Sequence, residues 1–204
     1  MAKKSFLDRI SDLTKIAHRA NFSSVDKHIA NLNVETRFSE MVTTRYTCNS
    51  FIDRKINPSK IEKILKVARI APSQGDCPSV HVWAVTSDEA LARMREVNSF
   101  SGAPAVFMVG CDRAKAWVRK FDNKSSADTD AAVVSMHILL EASDLGLGTV
   151  WLSEFDPAKV AELFPETAGY EIAALLAVGY PDPNEEPGVL VNAHKPVEDF
   201  ATVL

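Results

Sequence analysis

The chain has 204 residues, a formal charge of −4, 46% hydrophobic residues and 25% charged residues. Such a composition can bury a full core in one generous domain, and it excludes a disordered chain, a collagen-like chain and a disulfide scaffold. No basic excess attracts nucleic acid, and the apolar runs fall far short of a membrane span, so neither partner is expected.

The three cysteines, Cys48, Cys77 and Cys111, lie far apart. No Cys-x-x-Cys and no histidine pair at i,i+4 occurs, so no metal site is expected. An odd cysteine count fits a reducing compartment. Asp8, Arg9 and Asp12 interrupt any apolar leader, which makes the cytoplasm the expected location.

Residues 1–33 carry a net +3, which leaves −7 for the remainder. Phe6, Ile10, Leu13 and Ala17 recur at helical spacing, and Ser24 precedes a second short helix with Val25, Ile29 and Leu32. Residues 1–34 therefore read as a helical N-terminal extension and residues 35–204 as the main domain. A short helix through Phe38, Met41 and Val42 comes next. Asn57-Pro58 gives an N-cap followed by proline at N1, and Ile61, Ile64, Leu65 and Ala68 form one apolar face. Residues 71–76 read as a loop and Val80 to Thr86 as a strand. Ser87-Asp88-Glu89 opens a helix with Leu91, Met94 and Val97. Pro104 to Cys111 is continuously apolar, as in a strand buried on both faces.

Residues 113–125 are polar, with Trp117 and Phe121 as expected anchors. Asp128 to Leu145 reads as the longest helix, so apolar that burial all round is expected, partly by a second subunit. Gly146-Leu147-Gly148 stops it. Thr149 to Leu152 is a strand in which Trp151 reads as core. Asp156-Pro157 caps a helix carrying Val160 and Leu163. Ile172 to Gly179 is a third buried strand, and Pro196 starts a last short helix or edge segment. Helices alternating with apolar strands argue for an α/β or α+β sheet covered on both faces.

Gly-x-Ser-x-Gly, the P-loop pattern and Gly-x-Gly-x-x-Gly are all absent. His18, His28, His81, His137 and His194 have no local acid partner, and His81 and His137 read as packed, hydrogen-bonded histidines. Three short segments offer ligand chemistry. Arg45-Tyr46-Thr47-Cys48-Asn49 places a guanidinium, a hydroxyl and an amide within five residues, a set that can converge on a phosphate. Ser73, Gln74 and Asp76 can hydrogen-bond the edge of a heterocycle, or only their own turn. Residues 148–156 leave a strand and enter a helix, where backbone N–H groups are free for a ligand.

Taken in order, Gly102-Ala-Pro-Ala-Val-Phe-Met-Val, Asp128-Thr-Asp130-Ala-Ala, Leu145-Gly-Leu-Gly-Thr-Val-Trp-Leu, Phe155-Asp156-Pro157 and Ala177-Val-Gly-Tyr-Pro181 resemble the nitroreductase family of flavin enzymes. Arg45-Tyr46-Thr47-Cys48-Asn49 resembles that family's phosphate motif, and Ala71-Pro72-Ser73 its segment before the flavin-ring loop. The resemblance spans residues 35–204. It implies an α+β fold with a central mixed, mainly antiparallel sheet flanked by helices, in an entwined homodimer with FMN at the subunit interface. It also implies hydride transfer from NAD(P)H through flavin N5 to a small electrophile, a nitroaromatic or quinone, in a ping-pong cycle.

By position, Arg45, Tyr46, Thr47 and Asn49 would face the FMN phosphate. Pro72, Ser73, Gln74 and Asp76 would line the ring, and the backbone of Leu152, Ser153 and Glu154 would approach its N5/O4 edge. His194 and Lys195 would reach the phosphate from the tail. The resemblance assigns no catalytic side chain, because the flavin carries the hard chemistry. Tyr46 and Asn49 stand where the family motif has basic residues, and Asp76-Cys77-Pro78-Ser79-Val80 departs from its ring loop. The alternative is therefore a divergent member with weak or altered flavin binding in a binding or regulatory role.

Overall fold

The computed structural model describes Phe38, residues 41–43, 45–76, 78–184 and 195–204. The chain divides into two units, residues 1–44 and 45–204. In the first, Phe38 and Met41–Thr43 are helical; the expected leader helices and His194 lie outside the described residues.

The second unit is built on four strands, β1 (Val80–Val85), β2 (Ala105–Cys111), β3 (Gly148–Leu152) and β4 (Glu171–Gly179). Their order is β1-β2-β4-β3, and every ladder is antiparallel. A single parallel bridge joins Thr47 to Thr149 and makes the arrangement mixed. The central strands β2 and β4 are buried on both faces. That is why they read as unbroken apolar runs.

Helices α1 (Pro58–Arg69) and α3 (Ala127–Asp144) cover one face, where Phe107, Val109, Leu176 and Val178 meet Ile64, Ala68 and Ile138. Helices α2 (Asp88–Arg95) and α4 (Pro157–Leu163) cover the other, where Val106, Met108 and Leu175 meet Leu91, Met94 and Val160. A one-turn helix, α5 (Val197–Phe200), closes the described chain.

The helix starts follow the local chemistry. The Asn57 side chain accepts from the Ser59 N–H at 2.9 Å, the Ser87 hydroxyl accepts from the Ala90 N–H at 3.2 Å, and Asp156 accepts from Ala158 and Lys159. These are N-caps, and Pro58 and Pro157 follow two of them. Helix α3 stops at Gly146, whose φ of +71° places it in the left-handed region. The Leu147 N–H then bonds the Ala142 carbonyl and the Gly146 N–H that of Ser143, both at 2.9 Å, a Schellman ending. Lys60 Nζ donates to the neighbouring Leu145 carbonyl at 2.6 Å.

Within its own chain helix α3 leaves Ala132 exposed and Met136 37% exposed. Three sequence expectations are corrected. Phe121 is no anchor, being 98% exposed. It lies in a turn closed by a Val118–Ser125 bridge. Trp151 is exposed because β3 is a sheet edge, so one side of that residue meets no further strand. His81, expected to be packed and hydrogen-bonded, is exposed and stacks beside Trp83 and Tyr170, with centroids 4.5 and 5.5 Å away. His137 conforms, with Nδ1 2.8 Å from the Val133 carbonyl.

At one end of the sheet Arg113 bonds both Asp128, at 2.9 Å, and Glu171, tying the start of α3 to the start of β4. The guanidinium holds the Glu171 carboxyl below its ordinary range. A lowered folded-state value means that the stabilisation is complete above the unfolded carboxylate range and is lost as pH falls through the folded one. Thermal melts between about pH 7 and pH 3 should therefore show Arg113→Ala less stable than wild type near neutrality, with the difference shrinking on acidification.

Candidate functional site

The segment 45–51 is held against the β3 edge. The Cys48 N–H donates to the Thr149 carbonyl at 2.9 Å, Phe51 bridges Pro181, and the Ile52 N–H donates to the Tyr180 carbonyl at 3.0 Å. Two glycines make this approach possible. Gly148 and Gly179 face each other across the β3–β4 ladder. A Cβ on Gly148 would stand 2.6 Å from Cys48 Sγ, and one on Gly179 would stand 2.7 Å from Cδ1 of Phe51. The paired glycines form a notch in which the fully buried Cys48 and the ring of Phe51 sit.

With Cys48 turned inward, its neighbours Thr47 and Asn49 are exposed, and Arg45 and Tyr46 are half-buried. No described carboxylate pairs with Arg45. This set of one guanidinium, a hydroxyl and an amide suits a phosphate, which accepts from all three.

Leu152, Ser153 and Glu154 follow on the same edge strand. The Ser153 and Glu154 N–H groups have no partner among the described residues, so they are available to an acceptor atom of a ligand. The Glu154 carbonyl is occupied: Asn98 Nδ2 donates to it at 3.2 Å. Asn98 also accepts from the Phe100 N–H at 2.7 Å. The turn it starts runs through three consecutive left-handed residues, Phe100, Ser101 and Gly102, with φ of +36°, +53° and +73°. Positive φ at a buried aromatic residue is unfavourable, and the Asn98 bridge and the burial of Phe100 hold it there. Sequence reasoning missed Asn98. Its only signal was an amide two residues before a Phe-Ser-Gly turn.

The third segment lies elsewhere. Residues 71–76 precede β1, the opposite edge of the sheet, and end in a single turn at Gln74–Asp76 rather than an unstructured loop. Pro72, Gln74 and Asp76 are exposed and Ser73 is half-buried. Three strand spacings, about 14 Å, separate the two edges. One copy of the chain thus sets Arg45, Tyr46, Thr47 and Asn49 beside the start of β3 and Leu152, Ser153 and Glu154 at its end, with Pro72, Ser73, Gln74 and Asp76 before the opposite edge strand. A cavity of about 510 Å³ opens beside that second group, walled by Leu65, Ala68, Val80 and Val134, with Ser73 and Asp130 in its lining. Lys195 is exposed.

Among the described residues, no group of three His, Cys, Asp or Glu side chains gathers to hold a metal. No helix among them is long and apolar enough to cross a membrane. Cys111 is no ready nucleophile, since burial pushes its thiol up to about 11, with the Asp128 charge adding to the effect.

The sequence profile of the nitroreductase family matches residues 42–99 and 96–180. The chain belongs to the nitroreductase family. A crystal structure of a nitroreductase family protein from Clostridium difficile 630 is 31% identical and superposes with a TM-score of 0.74, covering 80% of this chain and 95% of that one. A curated relative from Archaeoglobus fulgidus, provisionally named an NADH dehydrogenase/NAD(P)H nitroreductase, is 30% identical over 70% of this chain and 84% of its own length. An FMN-dependent nitroreductase from C. difficile R20291 shares the fold at 20% identity, with a TM-score of 0.60 over 76% of this chain and 96% of that one. In this chain the glycine notch lets residues 47–51 lie close against β3 and the end of β4.

Gly148→Ala should therefore act twice. Forcing a methyl against Cys48 should cost about 1–3 kcal/mol in denaturant melts. It should also weaken binding of inorganic phosphate by lifting residues 45–49 from β3. Cys48→Gly in the same chain should recover part of both losses; melts and titrations unchanged by Gly148→Ala would contradict the close approach.

Proposed function

We propose that this nitroreductase is an FMN-dependent NAD(P)H oxidoreductase acting on small electrophiles such as nitroaromatics or quinones, working as a homodimer. The observation that carries the reading is the β3 edge: the Arg45–Asn49 donor set lies against this strand, and just after it come the N–H groups of Ser153 and Glu154, which have no partner among the described residues. A phosphate at one end and a hydrogen-bond acceptor on a heterocycle at the other match FMN. Bound FMN supplies a centre that takes up and gives back a hydride.

The chain's own residues have simpler tasks. Arg45, Thr47 and Asn49 hold the phosphate, with His194 and Lys195 as further cations from the tail. The N–H groups of Ser153 and Glu154 approach the ring edge, and Asn98 holds the next peptide along through the Glu154 carbonyl. Pro72, Ser73, Gln74 and Asp76 precede the opposite edge strand of the sheet. Two copies facing each other would bring this segment to the partner's ring.

Helix α3 supports that arrangement, because Ala132, Val133, Met136 and Leu140 are left partly or wholly uncovered by their own chain. The cavity beside Ser73 is of the size that small ligands occupy. Residues 1–34 are proposed as an appended extension, and the cytoplasm as the site of action. Tyr46 and Asn49 favour a second reading in which FMN is held weakly, because each lacks the full charge that a dianionic phosphate rewards.

Purified protein titrated with FMN should quench flavin fluorescence, and NADH or NADPH added without oxygen should bleach the flavin absorbance. Arg45→Ala should weaken FMN by about one to two decades, as expected for a charge-assisted hydrogen bond. A chain that neither binds FMN nor bleaches leaves the second reading.

Sedimentation should give a dimer. Met136→Lys, which sets a charge in the uncovered stripe, should shift it toward monomer and weaken FMN together. Loss of the dimer with full FMN affinity would place the whole site within one copy.

A further inference from the structure

Asp130, in the first turn of α3, is only 2% exposed. A carboxylate this buried ordinarily has a cation beside it. None of the ion pairs among the described residues includes Asp130. Its oxygens accept two other hydrogen bonds: Ser126 Oγ–H donates to Oδ2 at 2.7 Å, and the backbone N–H of Gln74 donates to Oδ1 at 3.1 Å. The first explains why Ser126, the residue before α3, makes no side-chain cap. The second reaches 56 positions back along the chain, to the loop before β1.

That loop is also held from another direction. Gly75 and Asp76 follow Gln74 with φ of +60° and +53°. A Cβ on Gly75 would lie 2.5 Å from Cδ1 of Trp117. The loop backbone is thus fixed by a buried carboxylate at Gln74 and pressed by an indole at Gly75, while the side chains of Gln74 and Asp76 stay exposed. A hydrogen bond in a low-dielectric setting is stronger than one in water, so this contact helps to set the loop's conformation.

We propose that Asp130 is a positioning residue, whose buried carboxylate grips the Gln74 amide so that Ser73, Gln74 and Asp76 meet the flavin ring in one fixed arrangement. The inference rests on the flavin reading above. It adds to that reading the group that pre-organises the ring loop before any cofactor arrives.

The test uses the full chain, first without and then with FMN. Without cofactor, hydrogen exchange at the Gln74 amide should quicken by about tenfold in Asp130→Ala, as for one lost hydrogen bond. In Asp130→Asn, whose Oδ1 still accepts, it should stay near the wild-type rate. With cofactor, Asp130→Ala should raise the FMN Kd by about tenfold and move the flavin midpoint potential, with Asp130→Asn rescuing most of the affinity.

Unchanged exchange at Gln74 in Asp130→Ala overturns the anchor. Faster exchange with an unchanged Kd and potential overturns the positioning role. A wild-type chain that takes up no FMN overturns the cofactor reading and the flavin-facing role with it, while the exchange rates still decide the anchor. If Asp130→Ala fails to fold, Ser126→Ala removes only the donor that orients the carboxylate. It should give the same changes at about two- to threefold, and wild-type values in that variant overturn the proposal.

Discussion

The close approach of residues 45–51 to the β3 edge is the constraint on which the candidate site depends. A strand edge offers hydrogen bonds to any passing segment, but here the segment brings a buried thiol and an aromatic ring with it. Both need room that a Cβ on either facing glycine would remove. Because Cys48 turns inward, the residues on either side turn outward, which is the alternation of an extended chain. The outward pair, Thr47 and Asn49, is the polar one. Packing on the inner side thus decides which chemistry faces solvent on the outer side.

A second constraint is the width of the sheet. β1 and β3 are its two edges, and the proposed phosphate and ring-edge groups belong to β3 while the ring loop belongs to β1. In the proposed site the ring loop comes from the second copy. The uncovered apolar stripe on α3 offers a physical reason for two copies to meet, since apolar side chains gain from leaving water. In the proposed dimer, assembly and site formation would be one event. The proposed design would tie cofactor affinity to the state of association.

Polar side chains do the local fixing around both halves. Asn98 joins a left-handed turn to the peptide after β3, and Asp130 joins α3 to the loop before β1. Each holds a distant backbone group, Asp130 bonding the Ser126 hydroxyl as well, and each sits beside positive-φ residues that would relax without support. The Arg113 contacts with Asp128 and Glu171 lie at the surface, where solvent screens the charges, and serve the fold.

The sequence by itself determined the elements and their order. Asn57-Pro58, Ser87 and Asp156-Pro157 announce helix starts because side-chain oxygens satisfy local N–H groups. Unbroken apolar runs at β2 and β4 announce central strands because both faces are covered. It also carried the family, through motifs spread from Arg45 to Pro181. Tertiary structure decided the rest. That Phe121 points outward, that Trp151 lies on an edge, that Gly148 meets Gly179 across a ladder, and that Asp130 reaches Gln74 all depend on residues distant in sequence. Local propensity and periodicity report what a segment prefers, whereas these facts arise from which segments pack together. The separation of the two halves of the candidate site follows from strand order, which no short stretch of sequence encodes.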